Sequence, residues 1–324
     1  MLTLNHIKAL NIEMSSKCIG KCPFCSRDQK VRPYGNHEIT LSDFQKLPAK
    51  LIRQLKWISF AGNFGDLSTN RDMVNIAEYI KTLNKNIVLG GDTNGSVQDE
   101  KWWKKLGAFF KDGSMVFSMD GLSDTHAIHR IGTDYHKIIR NIQAFAGAGG
   151  VAHWKFIIFA HNEHQITAAK EKARQIGCKR FFVIPSRDYN RVLKKPEKIE
   201  FQIKRELFQS YDEKAVSSEA AVTCKPFDNG SLYLAADGTV HPCCFAHLMY
   251  ITEHNSAFDF IPSLAEKYYD RINFKTTPFE DILKGPYFNE ILIKSKTNTY
   301  CRMKCNSYRK TIKKELVLID QYFN

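Results

Sequence analysis

The feature that most constrains this chain is an alternation. Six short apolar, β-branched runs are separated by segments of helical periodicity: IKALNIEM (7–14), WISFAGN (57–63), NIVLGGDTNG (86–95), SMVFSMDG (114–121), WKFIIFAHN (154–162) and RFFVIPS (180–186). Between them Met73, Ile76, Ala77, Ile80 and Leu83 recur at helical spacing, as do Ile138, Ile139, Ile142 and Phe145. A third set, Ile166, Ala169, Ala173 and Ile176, is closed by Gly177 as a helix C-cap. Strands alternating with helices build parallel βα units, which cross over right-handedly and carry their functional loops at the C-terminal ends of the strands.

From Lys194 the pattern changes to a polar, helical bridge, KKPEKIEFQIKRELFQSYDEKA. A hairpin signal follows in GSLYLAADGTVHPCCF, with Asp237-Gly238 as the turn between SLYLA and TVHPC, and helical segments carry the rest. The expected domains are therefore 1–193, an α/β array; 194–222, the bridge; and 223–324, a smaller domain of a β-hairpin plus helices.

No apolar run approaches the roughly 20 residues that span a bilayer. The start, MLTLNHIKAL, lacks the charged region, apolar core and cleavage site of a secretory signal, so a cytoplasmic location with no membrane partner is expected. A net charge of +13 invites a nucleic-acid partner. The basic residues are spread along the chain, however, densest in RMKCNSYRKTIKKE, and are not interleaved with aromatics as a stacking platform requires, so nucleic acid is not favoured.

In a reducing compartment, nine cysteines at short spacings point to metal ligands or catalytic groups before disulfides. Cys178, in QIGCKRF beside a buried strand, reads as a core thiol. The other eight are Cys18, Cys22 and Cys25 in CIGKCPFCSR, then Cys224, Cys243, Cys244, Cys301 and Cys305. Structural zinc takes four closed ligands; the opening loop supplies three, and the next histidine, His37, is twelve residues past Cys25. Three thiolates can instead hold a [4Fe–4S] cluster with one iron open. The second set reads Cys224-x13-Gly238-x4-Cys243 and Cys301-x3-Cys305; four thiolates together would saturate one cluster, or a zinc ion.

The CxxxCxxC loop after the first strand of a βα array resembles the radical SAM superfamily. The resemblance implies a partial (β/α)6 TIM-like barrel in which Cys18, Cys22 and Cys25 hold a [4Fe–4S] cluster. S-adenosylmethionine (SAM) binds the open iron and is cleaved reductively to a 5′-deoxyadenosyl radical that abstracts a substrate hydrogen. By the same resemblance, Phe24 lies near the adenine, and AGNFGD supplies Gly62, Asn63 and Asp66 around the SAM amino group. TNG supplies Thr93 and Asn94, FSMDG supplies Ser118 and Asp120 towards the ribose, Arg130 stands near the SAM carboxylate, and Asn162 is a polar contact. Ile19 departs from the asparagine that many relatives have after the first cysteine.

The Cys-x13-Gly-x4-Cys spacing resembles the SPASM/twitch extensions of that superfamily. With five cysteines available it implies the twitch form, an α/β chain with one auxiliary Fe–S cluster, [4Fe–4S], on Cys224, Cys243, Cys301 and Cys305, with Cys244 as the alternative to Cys243. The implied partners are SAM, a peptide or small-molecule substrate, and an electron donor such as flavodoxin or ferredoxin. Arg187, Asp188, Tyr189 and Arg191, after the sixth strand, are substrate candidates. Because Cys18 comes so early, no peptide-recognition domain is expected before the first strand. Alternatives are modification of a nucleotide or nucleic acid, a zinc-stabilised nucleic-acid-binding module, and a non-catalytic cluster scaffold.

Overall fold

The computed structural model describes residues 2–30, 32–198, 200–202, 222, 224–252, 260–295, 298, 301, 305 and 317–323. It divides into two units that do not follow the chain in simple blocks: Met1–Cys18, Ser26–Gly90 and Ala215–Ser307 form one, Ile19–Cys25, Gly91–Lys214 and Tyr308–Asn324 the other. Most of the 194–222 bridge lies outside the described residues. No helix among the described residues is long and apolar enough to cross a membrane.

In the first unit β1 (Ala9–Ile12) lies between β2 (Trp57–Phe60) and β7 (Ser231–Leu234) and runs parallel to both, Leu10 facing Ile58 on one side and Leu232 on the other. β7 turns back antiparallel into β8 (Val240–His241). The turn is the expected one: Asp237 Oδ1 accepts from the Thr239 amide at 2.9 Å and hydroxyl at 2.7 Å, and Gly238 takes φ +100°. The hairpin thus extends the β1 sheet, an attachment that turn chemistry alone does not reveal. Helix Met73–Leu83 buries Met73, Ile76, Ala77 and Ile80, as its periodicity predicts.

β3 (Val88–Thr93) runs through the boundary between the units. In the second unit the order is β3, β4 (Met115–Ser118), β5 (Ala152–Ile158), β6 (Arg180–Pro185), all parallel, then β9 (Ile319–Tyr322) antiparallel on β6. Along β5, Ala152, Trp154, Phe156 and Ile158 are buried while His153, Lys155 and Ile157 are half-buried, the period-two signature of one packed face. Helix Glu100–Gly107 is capped by Asp99, which accepts from the Trp102 amide at 2.8 Å. It meets helix Tyr135–Gly147 so closely that a Cβ on Gly107 would lie 2.4 Å from the Phe145 carbonyl oxygen. Buried Trp103 packs on Phe117 and Phe145 and satisfies its indole N–H on the Val97 carbonyl at 3.0 Å.

All six predicted strands are present, β1 and β2 parallel in the first unit and β3 to β6 parallel in the second. The chain's end departs from the expectation of helix: Ile319–Tyr322 is a strand, pinned by Arg180 Nε and Nη2 on Asp320 Oδ1 and Oδ2 at 2.6 and 2.9 Å. Four residues without helical periodicity take the conformation that a distant sheet edge offers them.

Candidate functional site

All nine cysteines are thiols. Cys178 is 2% exposed and burial pushes it up to about 12, as befits a core thiol. The opening loop begins one residue after the β1 extension that carries Glu13, Ser15 and Ser16. Within it the Cys25 amide donates to the Cys22 carbonyl at 3.3 Å, and Phe24, 38% exposed, sits at φ +64°. A bulky side chain in the left-handed region is a genuine outlier, the kind of strain that collects at functional sites.

In the second unit the loop rests on the segment after β4. The Lys21 amide donates to the Ile131 carbonyl at 2.8 Å, and a Cβ on Gly132, φ +84°, would come within 2.8 Å of the Ile19 carbonyl oxygen. Ile19 itself is exposed. Arg130 links two predicted site residues: its Nε donates to Asp120 Oδ2, and its guanidinium also hydrogen-bonds the Cys22 thiol. Burial raises the Cys22 thiol, with Arg130 pulling it down and Asp120 and Cys25 pushing it up.

Asp120 has no solvent exposure, and both its oxygens are taken. Oδ2 is bonded to His129 Nδ1 at 2.6 Å and to Arg130; Oδ1 accepts from the Ile157 amide at 2.7 Å. Burial works against its charge, but Arg130 and then His129 hold the carboxyl below the usual range. Asn162 is equally committed: Oδ1 takes the Phe159 amide at 2.8 Å, and Nδ2 donates to the Asp120 and Ile157 carbonyls, each at 3.0 Å. Thr93 and Asn94 shape their own turn, accepting from the Gly95 and Ser96 amides at 2.9 Å. Ser118 closes β4, 7% exposed. Thus Asp120, Arg130 and Asn162 converge as one hydrogen-bonded frame on which the cysteine loop is mounted. After β6, Arg187, Asp188 and Arg191 are exposed and Tyr189 is half-buried, its ring 6.2 Å from that of Phe159.

In the first unit the loop after β2 folds onto the β1 extension. Asp66 donates its amide to the Lys17 carbonyl at 2.8 Å and caps a turn through Ser68. Asn63 Nδ2 donates to the Cys244 carbonyl at 2.9 Å. Beneath Gly62 lies Glu13, 1% exposed, with Tyr34, Tyr233 and His247 nearby in a buried polar group. Sequence reading passed over all four. An acid near the end of the apolar run IKALNIEM was the signal for the first.

The second cysteine set gathers in the first unit. Burial is the largest influence on three of these thiols: Cys224 and Cys301 are pushed up to about 12 and Cys243 well above its ordinary value. Like-charge repulsion adds to it: Cys244 and then Cys305 act on Cys243, Cys305 also acts on Cys224 and Cys301, and Cys224 acts on Cys301. Cys243 and Cys301 pack against the same apolar cluster, Ala246, Met249 and Ile261. Cys244 opens the next helix and acts electrostatically on Cys243 and Tyr233. Half-buried thiols whose ionisation burial and neighbouring thiols oppose fit a cationic inorganic group, which would relieve both penalties. Among the described residues no three His, Cys, Asp or Glu side chains close round a single metal-ion position.

Residues 224–306 match the family model of SPASM, an iron–sulfur cluster-binding domain. No curated protein sequence matches the chain. Among solved structures it is similar to Streptococcus suis SuiB bound to precursor peptide SuiA, with a TM-score of 0.55, 15% identity, and coverage of 88% of this chain and 66% of that one. SuiB bound to S-adenosylmethionine gives 0.53 and 18%, covering 89% and 75%. anSMEcpe with bound AdoMet and the Kp18Cys peptide gives 0.56 and 18%, covering 95% of both chains. The chain therefore spans just under two thirds of SuiB in its peptide complex and nearly all of anSMEcpe.

Proposed function

We propose that this chain, which has the fold of the radical SAM enzymes and an iron–sulfur cluster-binding SPASM domain at residues 224–306, is a radical SAM enzyme that modifies a peptide. The observation that carries the reading is the Cys18-x3-Cys22-x2-Cys25 loop, set directly after the first strand of a parallel βα array. With a [4Fe–4S] cluster and SAM bound, the site would supply a 5′-deoxyadenosyl radical by one-electron reduction, the electron coming from a flavodoxin or ferredoxin.

The chain's own residues have separable tasks. Cys18, Cys22 and Cys25 would hold the first cluster and leave one iron open. Arg130 steadies Cys22 and ties it to Asp120, which with Asn162 fixes the ends of β4 and β5. Cys224, Cys243, Cys301 and Cys305 would hold the auxiliary cluster, with Cys244 as the alternative to Cys243; Cys305 acts electrostatically on Cys224, Cys243 and Cys301. Arg187, Asp188, Tyr189 and Arg191 would meet substrate at the end of β6. The peptides bound in the SuiB and anSMEcpe structures support a peptide substrate before a small molecule.

The test is 5′-deoxyadenosine formation by anaerobically reconstituted protein with SAM and dithionite, beside a Cys18/Cys22/Cys25→Ala variant. Formation that requires the three cysteines is expected. Equal background from both proteins, with the wild type folded and loaded with iron, would sink the reading and leave a cluster scaffold.

A further inference from the structure

We propose that Glu13, five residues before Cys18, is a positioning residue: its carboxylate fixes the peptide planes of the 62–66 loop so that their carbonyls present acceptors to the amino group of SAM. This rests on the SAM reading above. Oε1 accepts from the Phe64 amide at 2.7 Å and the Gly65 amide at 3.3 Å, and Oε2 accepts from the Tyr34 hydroxyl at 2.9 Å. A peptide unit is planar and trans, so its N–H and C=O point in opposite directions; among the described residues there is no cis peptide. Drawing two N–H groups onto Glu13 therefore turns the Asn63 and Phe64 carbonyls, which share those units, away from it. Adjacent outward carbonyls suit an ammonium, which donates and never accepts. A carboxylate behind the N–H ends also polarises both units and strengthens their carbonyls as acceptors.

The loop is held to this arrangement. A Cβ on Gly62 would stand 2.6 Å from Glu13 Cγ and Oε1, and one on Gly65 would stand 1.8 Å from the Ser15 carbonyl oxygen. The Asp66 amide and Thr69 hydroxyl both donate to the Lys17 carbonyl, at 2.8 and 3.0 Å. The loop thus lies along the strand extension that runs into Cys18. Leu10 and Ile12 of β1 and Met14 just after it are buried apolar side chains; a carboxylate sealed among such neighbours costs desolvation, and donors that it must orient offset that cost.

The experiment measures binding of SAM and of 5′-methylthioadenosine, which lacks the amino-acid moiety, to reconstituted wild type, Glu13→Ala and Glu13→Gln, with iron content and the reduced-cluster EPR spectrum recorded for each. Glu13→Ala should retain iron and bind SAM about tenfold more weakly, with methylthioadenosine affinity unchanged. Glu13→Gln, whose amide oxygen still accepts both N–H groups, should return to within about threefold of wild type. Unaltered SAM binding by Glu13→Ala, or equal loss of both ligands, overturns the proposal. Should Glu13→Ala fail to fold, Tyr34→Phe carries the test: removing one donor from Oε2 should weaken SAM by about two- to fivefold, and no change overturns the proposal. Iron-loaded wild type that binds no SAM would overturn the SAM reading itself, independently of any variant.

Discussion

Glu13 in one unit and Asp120 in the other are both sealed from solvent, at 1% and 0% exposure, yet their carboxyls shift in opposite directions. Around Glu13 the partners are two amides and a phenol, and desolvation, with a contribution from Asp237, outweighs them; its carboxyl is raised. Around Asp120 desolvation is also the largest influence, but the Arg130 guanidinium, His129 and the Ile157 amide together overcome it; that carboxyl is lowered. Burial sets the cost in both places, and the presence of a cation decides the sign. A neutral-donor shell suits a group that orients backbone, whereas an ion-paired shell suits one that ties elements together.

The sharpest way to break this contrast is Asp120→Asn. It strands Arg130 in the interior without its counter-charge, and loss of one partner from a buried pair costs about 3–5 kcal/mol. Chemical denaturation at neutral pH should show that loss; a change below about 1 kcal/mol would mean that Arg130 finds another anion or water. The pH dependence adds a second check. A carboxyl whose folded pKa is depressed stabilises fully above its ordinary value of 3.8 and loses that contribution as pH falls through the folded value. The gap between variant and wild type should therefore narrow in acid.

Next in size is Gly65→Ala, where the added Cβ meets the Ser15 carbonyl at 1.8 Å, a backbone atom that cannot step aside. Overpacking of this kind costs about 1–3 kcal/mol. Gly147→Ala, at a helical site with nothing within 4 Å, is the internal control and should be neutral or stabilising by up to about 1 kcal/mol. Equal losses at the two sites would show that the 62–66 loop is not pressed against the β1 extension.

The strands were legible because each is an apolar, β-branched run bounded by turn residues, and because the helices between them repeat at 3.6. The cysteine loop was legible because metal-ligand spacing is local. The hairpin was readable as a hairpin, since Asp237 and Gly238 dictate its turn, but not its place beside β1, which depends on a partner more than two hundred residues away. β9 failed for the same reason: Ile319–Tyr322 has little pattern of its own and owes its conformation to β6. Asp120 and Arg130 were both picked out, while the bonds that join Asp120 to Arg130, His129 and the Ile157 amide became visible only once β4, β5 and the intervening segment had packed. Glu13 was overlooked because a single acid in a strand looks like an exception to the pattern, until two amides are found on it.

The smallest effect is the most discriminating. Glu13→Gln keeps an oxygen for the Phe64 and Gly65 amides and offers an N–H to the Tyr34 oxygen, so its cost near neutral pH should be slight. Its pH dependence should nonetheless run against that of Asp120→Asn. With the folded Glu13 pKa above its ordinary 4.5, the folded state keeps a proton that the unfolded chain has already released. The group's contribution is complete below the unfolded value and is lost as pH rises through the folded one. Glutamine does not titrate, so the variant should gain on wild type as pH rises above 4.5, where the Asp120→Asn gap is constant; that gap widens with rising pH only below 3.8. Urea denaturation of the three proteins across both ranges separates the cases. If both variants drift in the same direction, the two carboxylates share one electrostatic environment, and the contrast between neutral and cationic shells fails.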